Sequence, residues 1–256
     1  MFRYRFTIEY DGGGYVGWQR QKNGSSIQQS IEEAIFCAVG EVVTLHGAGR
    51  TDSGVHAFGQ VAHVDLMRKW IPEKLCNALN FHLRIAARTT AITILDVRVT
   101  DNDFHARFSA IRRSYLYRII ARRTPLALEK GRAWWIPKDL NCEAMQVSAQ
   151  YLVGRHDFTA FRSVHCQASS PIRTVDRLDV IKSGNTIEIR VVARSFLHRQ
   201  VRSFVGSLKL VGEGKWTPDH LKNVLQSCDR RACGPVAPPE GLYFCRSEYP
   251  CDDALS

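Results

Sequence analysis

The chain has 256 residues, 45% of them hydrophobic, which fills the core of one large domain or two ordinary ones and excludes a disordered chain. With 35 Lys and Arg against 25 Asp and Glu, its formal net charge is +10; such an excess favours a polyanionic partner, because each phosphate neutralised releases condensed counterions. No apolar run is long enough to cross a bilayer, and no secretory leader is expected before the first predicted strand. The eight cysteines (Cys37, Cys76, Cys142, Cys166, Cys228, Cys233, Cys245 and Cys251) show no Cys-x-x-Cys pair and no zinc-ligand spacing, so free thiols and a reducing, cytoplasmic compartment are expected.

Residues 3–10 alternate polar Arg3, Arg5, Thr7 and Glu9 with apolar Tyr4, Phe6, Ile8 and Tyr10, the period of a strand with one buried face. Ser26 and Gln29 then have capping-box spacing, Ile27, Ile31, Ala34, Ile35 and Ala38 form one apolar stripe, and Gly40 ends the predicted helix. Residues 42–45 and 60–66 read as strands on either side of a loop, 72–83 as a second helix and 91–97 as a further strand. The order is βαββαβ. Asp101-Asn102-Asp103 breaks the pattern and sets the expected division between halves 1–102 and 103–256.

The second half repeats that order. It has a strand at 112–121, a helix at 142–153, a hairpin of 175–181 and 186–192 around Ser183-Gly184-Asn185, and a helical stripe of Leu197, Val201, Phe204, Val205 and Leu208. A stiff surface loop at 235–239 precedes a last strand at 242–246. The expected class is α+β, each half a split βαβ unit with helices over one face of an antiparallel sheet.

Two motifs bear on chemistry. Gly12-Gly13-Gly14-Tyr15-Val16-Gly17 fits G-x-G-x-x-G, but a dinucleotide site needs those glycines to open directly into a helix, and residues 18–24 intervene. No nicotinamide or flavin role is expected. Gly49-Arg50-Thr51-Asp52-Ser53-Gly54-Val55-His56-Ala57 presents one acidic residue where two strands meet. Arg50 beside it favours the ionised form, which serves as nucleophile, general base or metal ligand; an Asx turn is the purely structural alternative.

That loop resembles the signature loop of the TruA-type tRNA pseudouridine synthases. Four later segments fit the same family in order: Phe104-His105-Ala106-Arg107-Phe108-Ser109-Ala110, Arg113-Ser114-Tyr115-Leu116-Tyr117, Phe196-Leu197-His198-Arg199-Gln200-Val201-Arg202 and Pro238-Pro239-Glu240-Gly241-Leu242. The resemblance implies two ferredoxin-like halves joined through an extended antiparallel sheet with a central cleft, acting as a homodimer. It implies isomerisation of uridine to pseudouridine at positions 38, 39 or 40 of the tRNA anticodon stem-loop, without cofactor, metal or membrane.

The same resemblance assigns roles. Asp52 is the nucleophile, attacking ribose C1′ or pyrimidine C6 or assisting an elimination. Arg202, at the edge of its helical stripe, keeps that carboxylate ionised and aimed. Tyr115 stacks on the target uracil and assists proton removal from C5, while Tyr117 is structural. Arg50 fills the space left by the extruded base. Phe104, His105, Ala106, Arg107 and Phe108, and a second segment of His165, Cys166, Gln167, Ala168 and Ser169, match tRNA contacts of the family. Arg68-Lys69, Arg112-Arg113 and Arg122-Arg123 offer phosphate contacts. Gln200 departs from the family, which commonly has an apolar residue there. Two other readings are a non-catalytic RNA-binding module and a metal-dependent nuclease using Asp52, His56 and Asp65; RNA mass and chelator sensitivity separate them.

Overall fold

A computed structural model describes residues 1–87 and 91–250. Its elements are β1 (Phe2–Tyr10), α1 (Ile27–Val39), β2 (His46–Gly47), β3 (His56–Leu66), α2 (Pro72–Ala87), β4 (Ile92–Thr100), β5 (Arg112–Ala121), β6 (Trp134–Ile136), α3 (Cys142–Gln150), β7 (Gly154–Asp157), β8 (Ile172–Ser183), β9 (Thr186–Ala193), α4 (Gln200–Gly212), α5 (Pro218–Ser227) and β10 (Leu242–Glu248). The class is α+β. The chain packs as two compact units, Met1–Ile111 with the last strand from Tyr243, and Arg112–Leu242. A contiguous division at 102/103 does not anticipate this, because β10 joins the first unit by pairing with β3, which lies far away in sequence. Seven cysteines are free; Cys251 lies outside the described residues.

In the first unit the strand order is β4-β1-β3-β10, with β2 also on β3. Tyr4 stands opposite Val64 and Phe6 opposite Ala62, and all four are fully buried. Ile27, Ile31 and Ile35 of α1 and Leu75 and Leu79 of α2 complete this core, also without exposure. The opposite face carries Arg3, Arg5, His63, Asp65 and Arg98, as the alternation of residues 3–10 requires.

Helix α1 begins as its sequence predicts, with the Ser26 hydroxyl accepting the Gln29 N–H at 3.2 Å, and ends at Gly40 with φ 75°. Only half of the capping box forms, since the Gln29 amide donates to Glu33 at 2.8 Å. The expected strand at 42–45 is also absent: pairing with β3 is confined to His46 and Gly47. Buried side chains of α1 take the backbone instead. Glu32 accepts the Leu45 N–H at 3.0 Å and Gln28 donates to the Leu45 carbonyl at 3.1 Å.

In the second unit β9 lies between β5 and β8 and runs antiparallel to both, so β5, α3 and β8 form a split βαβ unit. β7 pairs with β8, and β6 runs parallel to β5. With 4 and 3 residues, these two strands are too short to show an alternation in sequence. α3 stops at Gln150 and the chain tightens into turns, with Leu152 N–H on the Ala149 carbonyl at 3.1 Å. The loop at 235–239 packs on α4. A Cβ at Gly206 would lie 1.6 Å from the Pro235 carbonyl oxygen.

Gly206→Ala is therefore expected to destabilise the second unit by about 1–3 kcal/mol, as overpacking does when backbone must yield. Gly14→Ala, where a Cβ meets nothing within 4 Å, is the control. Equal urea midpoints for the two variants would contradict the close approach.

Candidate active site

Asp52 is held through its neighbours' backbone. It forms an isolated antiparallel bridge with Gly17, Trp18 N–H donates to the Thr51 carbonyl at 3.0 Å, and Val55 N–H donates to the Asp52 carbonyl at 3.2 Å. The Ser53 hydroxyl donates to the Tyr15 carbonyl at 2.9 Å. Underneath, Tyr10 and Thr51 hydroxyls lie 2.8 Å apart, and Gln60 donates to the Gly49 carbonyl at 2.9 Å. Burial pushes the Tyr10 phenol up to about 12, so it stays a neutral hydrogen-bonding group.

Two glycines of the apparent dinucleotide motif, Gly12 and Gly17, serve this contact. Gly17 has φ 109°, and a Cβ there would sit 2.7 Å from the Thr51 carbonyl oxygen; one at Gly12 would sit 2.0 Å from that of Val55. Asp52 is half-buried, whereas Arg50 is exposed and, among the described residues, forms no ion pair. Arg50 thus does not pair with Asp52, since an exposed arginine gains little from a pair that orders its long side chain.

His56 turns inward, its Nδ1 accepting the Gly12 N–H at 3.1 Å. Tyr243 stacks on His56 at 4.9 Å and on Phe58 at 4.7 Å, and Phe58 is 45% exposed. Sequence reading missed this ring column, because Tyr243 reaches it only through the pairing of β10 with β3. The nuclease set does not assemble. His56 and Asp65 stand near opposite ends of the 11-residue β3, roughly 30 Å apart at the strand rise per residue, and both Asp65 oxygens bind Arg3 at 2.7 Å.

In the 104–108 segment Ala106 is buried, Phe104 and His105 are half-buried, and Arg107 and Phe108 are exposed. The Arg5 guanidinium lies over the Phe104 and Tyr249 rings, at 5.6 and 4.5 Å, and that of Arg107 over Phe108 at 5.6 Å. His63 packs between His46 at 5.0 Å and His105 at 4.6 Å. Sequence reading did not single out His63 or Tyr249.

Tyr115 and Arg202 belong to the second unit. Tyr115, half-buried in β5, stands opposite Val191 and meets the edge of Phe196 at 5.1 Å and 88°. Tyr117 is fully buried and donates to the Pro238 carbonyl at 2.8 Å; burial, then Glu240, drive its phenol far upward, which suits a structural role. Arg202, in the first turn of α4, donates from Nε to the Ala237 carbonyl at 2.8 Å, and Ala237 N–H returns a bond to the Arg202 carbonyl at 3.0 Å. The unusual Gln200 is fully buried and accepts the Leu197 N–H at 2.7 Å, bracing the chain where left-handed Arg199 (φ 63°) precedes the helix.

His165, Gln167 and Ser169 are exposed, with Cys166 and Ala168 half-buried. Ser163 N–H anchors their loop to the His198 carbonyl at 3.0 Å. Arg68, Lys69, Arg112 and Arg123 are exposed. Arg113 is not a phosphate contact, because it is 8% exposed and donates to the Arg194 carbonyl. Arg122 is spent on its own turn, donating to the Thr124 and Pro125 carbonyls at 3.1 and 3.0 Å. A hollow of about 460 Å³ in the second unit, bordered by Tyr151, His156, Asp157 and Lys222, contains none of the residues nominated from sequence.

The profile of the tRNA pseudouridine synthase family matches residues 7–109 and 148–250. The tRNA pseudouridine synthase A of Sinorhizobium fredii (strain NBRC 101917 / NGR234) is 65% identical over 249 residues, covering 97% of this chain and 100% of that protein. That of Rhizobium meliloti (strain 1021) is 64% identical over 97% of this chain and 100% of its own length. That of Rhizobium leguminosarum bv. trifolii (strain WSM2304) is 62% identical over 98% and 92%. The chain belongs to the tRNA pseudouridine synthase family, in its TruA-type branch. It is an isomerase that converts uridine to pseudouridine in tRNA. Among the described residues no helix is long and apolar enough to cross a membrane.

The first unit also sets a titration. Burial above all, then His105, His46 and Arg3, push His63 down to about 4, with Asp65 opposing. The unfolded chain binds a proton here near the ordinary histidine value of about 6.5, which the folded chain refuses. Stability from this group is complete above that value and falls as pH drops from about 6.5 through about 4. Urea midpoints measured across that window should fall less steeply for His63→Asn than for the parent; identical slopes would contradict the buried neutral ring.

Proposed function

We propose that this isomerase acts at positions 38, 39 and/or 40 of the tRNA anticodon stem-loop, as a cytoplasmic homodimer, with Asp52 as nucleophile after the target base is flipped. One observation carries the reading: the backbone is fastened on both sides of a single acidic residue, at Thr51, Asp52 and Val55. Pinning the chain around a carboxylate fixes where its charge stands, as a positioned nucleophile requires.

The reaction breaks the bond from uracil N1 to ribose C1′, joins C1′ to C5, and moves the C5 proton off the ring while N1 gains one. Atoms balance within the substrate. Whether Asp52 adds to C1′, adds to C6 or assists elimination, each route draws on its negative charge. Arg202 keeps that carboxylate ionised in this reading. Its Nε bond to Ala237 sets the plane of the guanidinium, a constraint lysine does not reproduce. Tyr115, braced by Phe196, stacks on the flipped uracil, and its hydroxyl assists loss of the C5 proton. Exposed Arg50 fills the vacated stack. Arg68, Phe104, His105, Ala106, Arg107 and Phe108, with His165, Cys166, Gln167, Ala168 and Ser169, contact the tRNA; the +10 charge supports a polyanionic substrate.

Asp52→Asn is expected to reduce pseudouridine formation to background while tRNA affinity stays within about threefold. Turnover in a clean assay would remove Asp52 from the chemistry. Arg202→Lys should lower kcat by roughly 10- to 1,000-fold; parental kcat would refute its role. Chemical mapping of an unmodified tRNA transcript after incubation should place pseudouridine at 38, 39 or 40, and modification confined elsewhere would overturn the positional assignment.

A further inference from the structure

Ala106 lies at the centre of the 104–108 segment, and two distant side chains hold its peptide groups. Its N–H donates to Nδ1 of His63 at 3.2 Å, and its carbonyl accepts the Tyr249 hydroxyl at 2.8 Å. Ala106 is fully buried, and His63 and Tyr249 are each 2% exposed. Neighbouring bonds lock the turn: Arg3 donates to the Phe104 carbonyl at 2.9 Å, and His105 accepts the Arg107 N–H at 3.1 Å. The next two residues break the burial, with Phe108 71% exposed and the Arg107 guanidinium over its ring.

A backbone fastened at one residue followed by an exposed cation on an aromatic ring is a suitable receptor for a nucleotide. The guanidinium matches a phosphate, and the ring offers a face to an unstacked base. Free in solution, such a turn would lose conformational freedom on binding; held beforehand, it loses little.

We propose that His63 and Tyr249 are positioning residues for RNA: by clamping both polar groups of Ala106 they present Arg107 and Phe108 as one preformed receptor for a phosphate and its adjacent unpaired base in the tRNA. The inference rests on the reading of 104–108 as an RNA contact and adds the two residues that make it work. Accepting the Ala106 N–H requires His63 to be neutral with its proton on Nε2, a state that burial above all, then its neighbours His105, His46 and Arg3, favour.

The test measures KM and kcat on an unmodified tRNA transcript for His63→Leu, His63→Asn and Tyr249→Phe, each also combined with Arg107→Ala/Phe108→Ala. His63→Leu removes the acceptor, His63→Asn restores one near the Nδ1 position, and Tyr249→Phe deletes one oxygen, a mild change should the leucine variant fold poorly. Expected are KM values raised roughly 3- to 30-fold for the leucine and phenylalanine variants, from re-ordering one or two interface side chains, with kcat within about twofold. His63→Asn should recover most of the affinity, and neither clamp variant should cost more once Arg107 and Phe108 are gone. Unchanged KM in both clamp variants, or an undiminished penalty in the Arg107→Ala/Phe108→Ala background, overturns the clamp alone. Unchanged KM for Arg107→Ala/Phe108→Ala by itself overturns the RNA-contact reading and the clamp with it.

Discussion

The first unit depends on the approach of one backbone to another at Gly17 and Asp52. Without side chains at Gly12 and Gly17 the chain leaving β1 comes close enough to the acidic loop to bridge it, and Cβ atoms there would stand 2.0 and 2.7 Å from carbonyl oxygens. This contact helps to place the carboxylate. Tyr10 and Gln60 support the loop from below by binding Thr51 and Gly49, and Ser53 ties its outer edge to Tyr15.

Arg202 is placed by the same kind of device. Gly206 lets the 235–239 loop settle on α4, and Ala237 then exchanges two bonds with Arg202, one to its side chain and one to its backbone. In both units a glycine permits a close backbone contact, and that contact orients a charged residue. Preorganisation of this kind resides in peptide groups, which neither titrate nor rotate between rotamers.

The 104–108 segment extends the logic to side chains. His63 and Tyr249 bind the backbone of Ala106 where regular strand pairing has ended. A buried neutral imidazole carries a cost, since it must refuse a proton that the unfolded chain accepts. That cost is understandable if the acceptor it supplies sets the course of an exposed arginine and phenylalanine.

Local signals in the sequence determined much of this protein. The alternation at residues 3–10, the Ser26 cap, the Gly40 stop and the 49–57 loop are each written in adjacent residues, and each reappears in β1, α1 and the Asp52 turn. Tertiary structure alone decided the rest. Leu45 left the expected strand because Glu32 and Gln28 of α1 bind its backbone, and Arg113 lost its place as a phosphate ligand to burial beside Arg194. Tyr243 joins His56, and Tyr249 joins Ala106, across most of the chain's length. The physical reason is that periodicity and capping report interactions within a few residues, whereas partners for buried polar groups are chosen by which distant backbones the packed core brings within 3 Å or so.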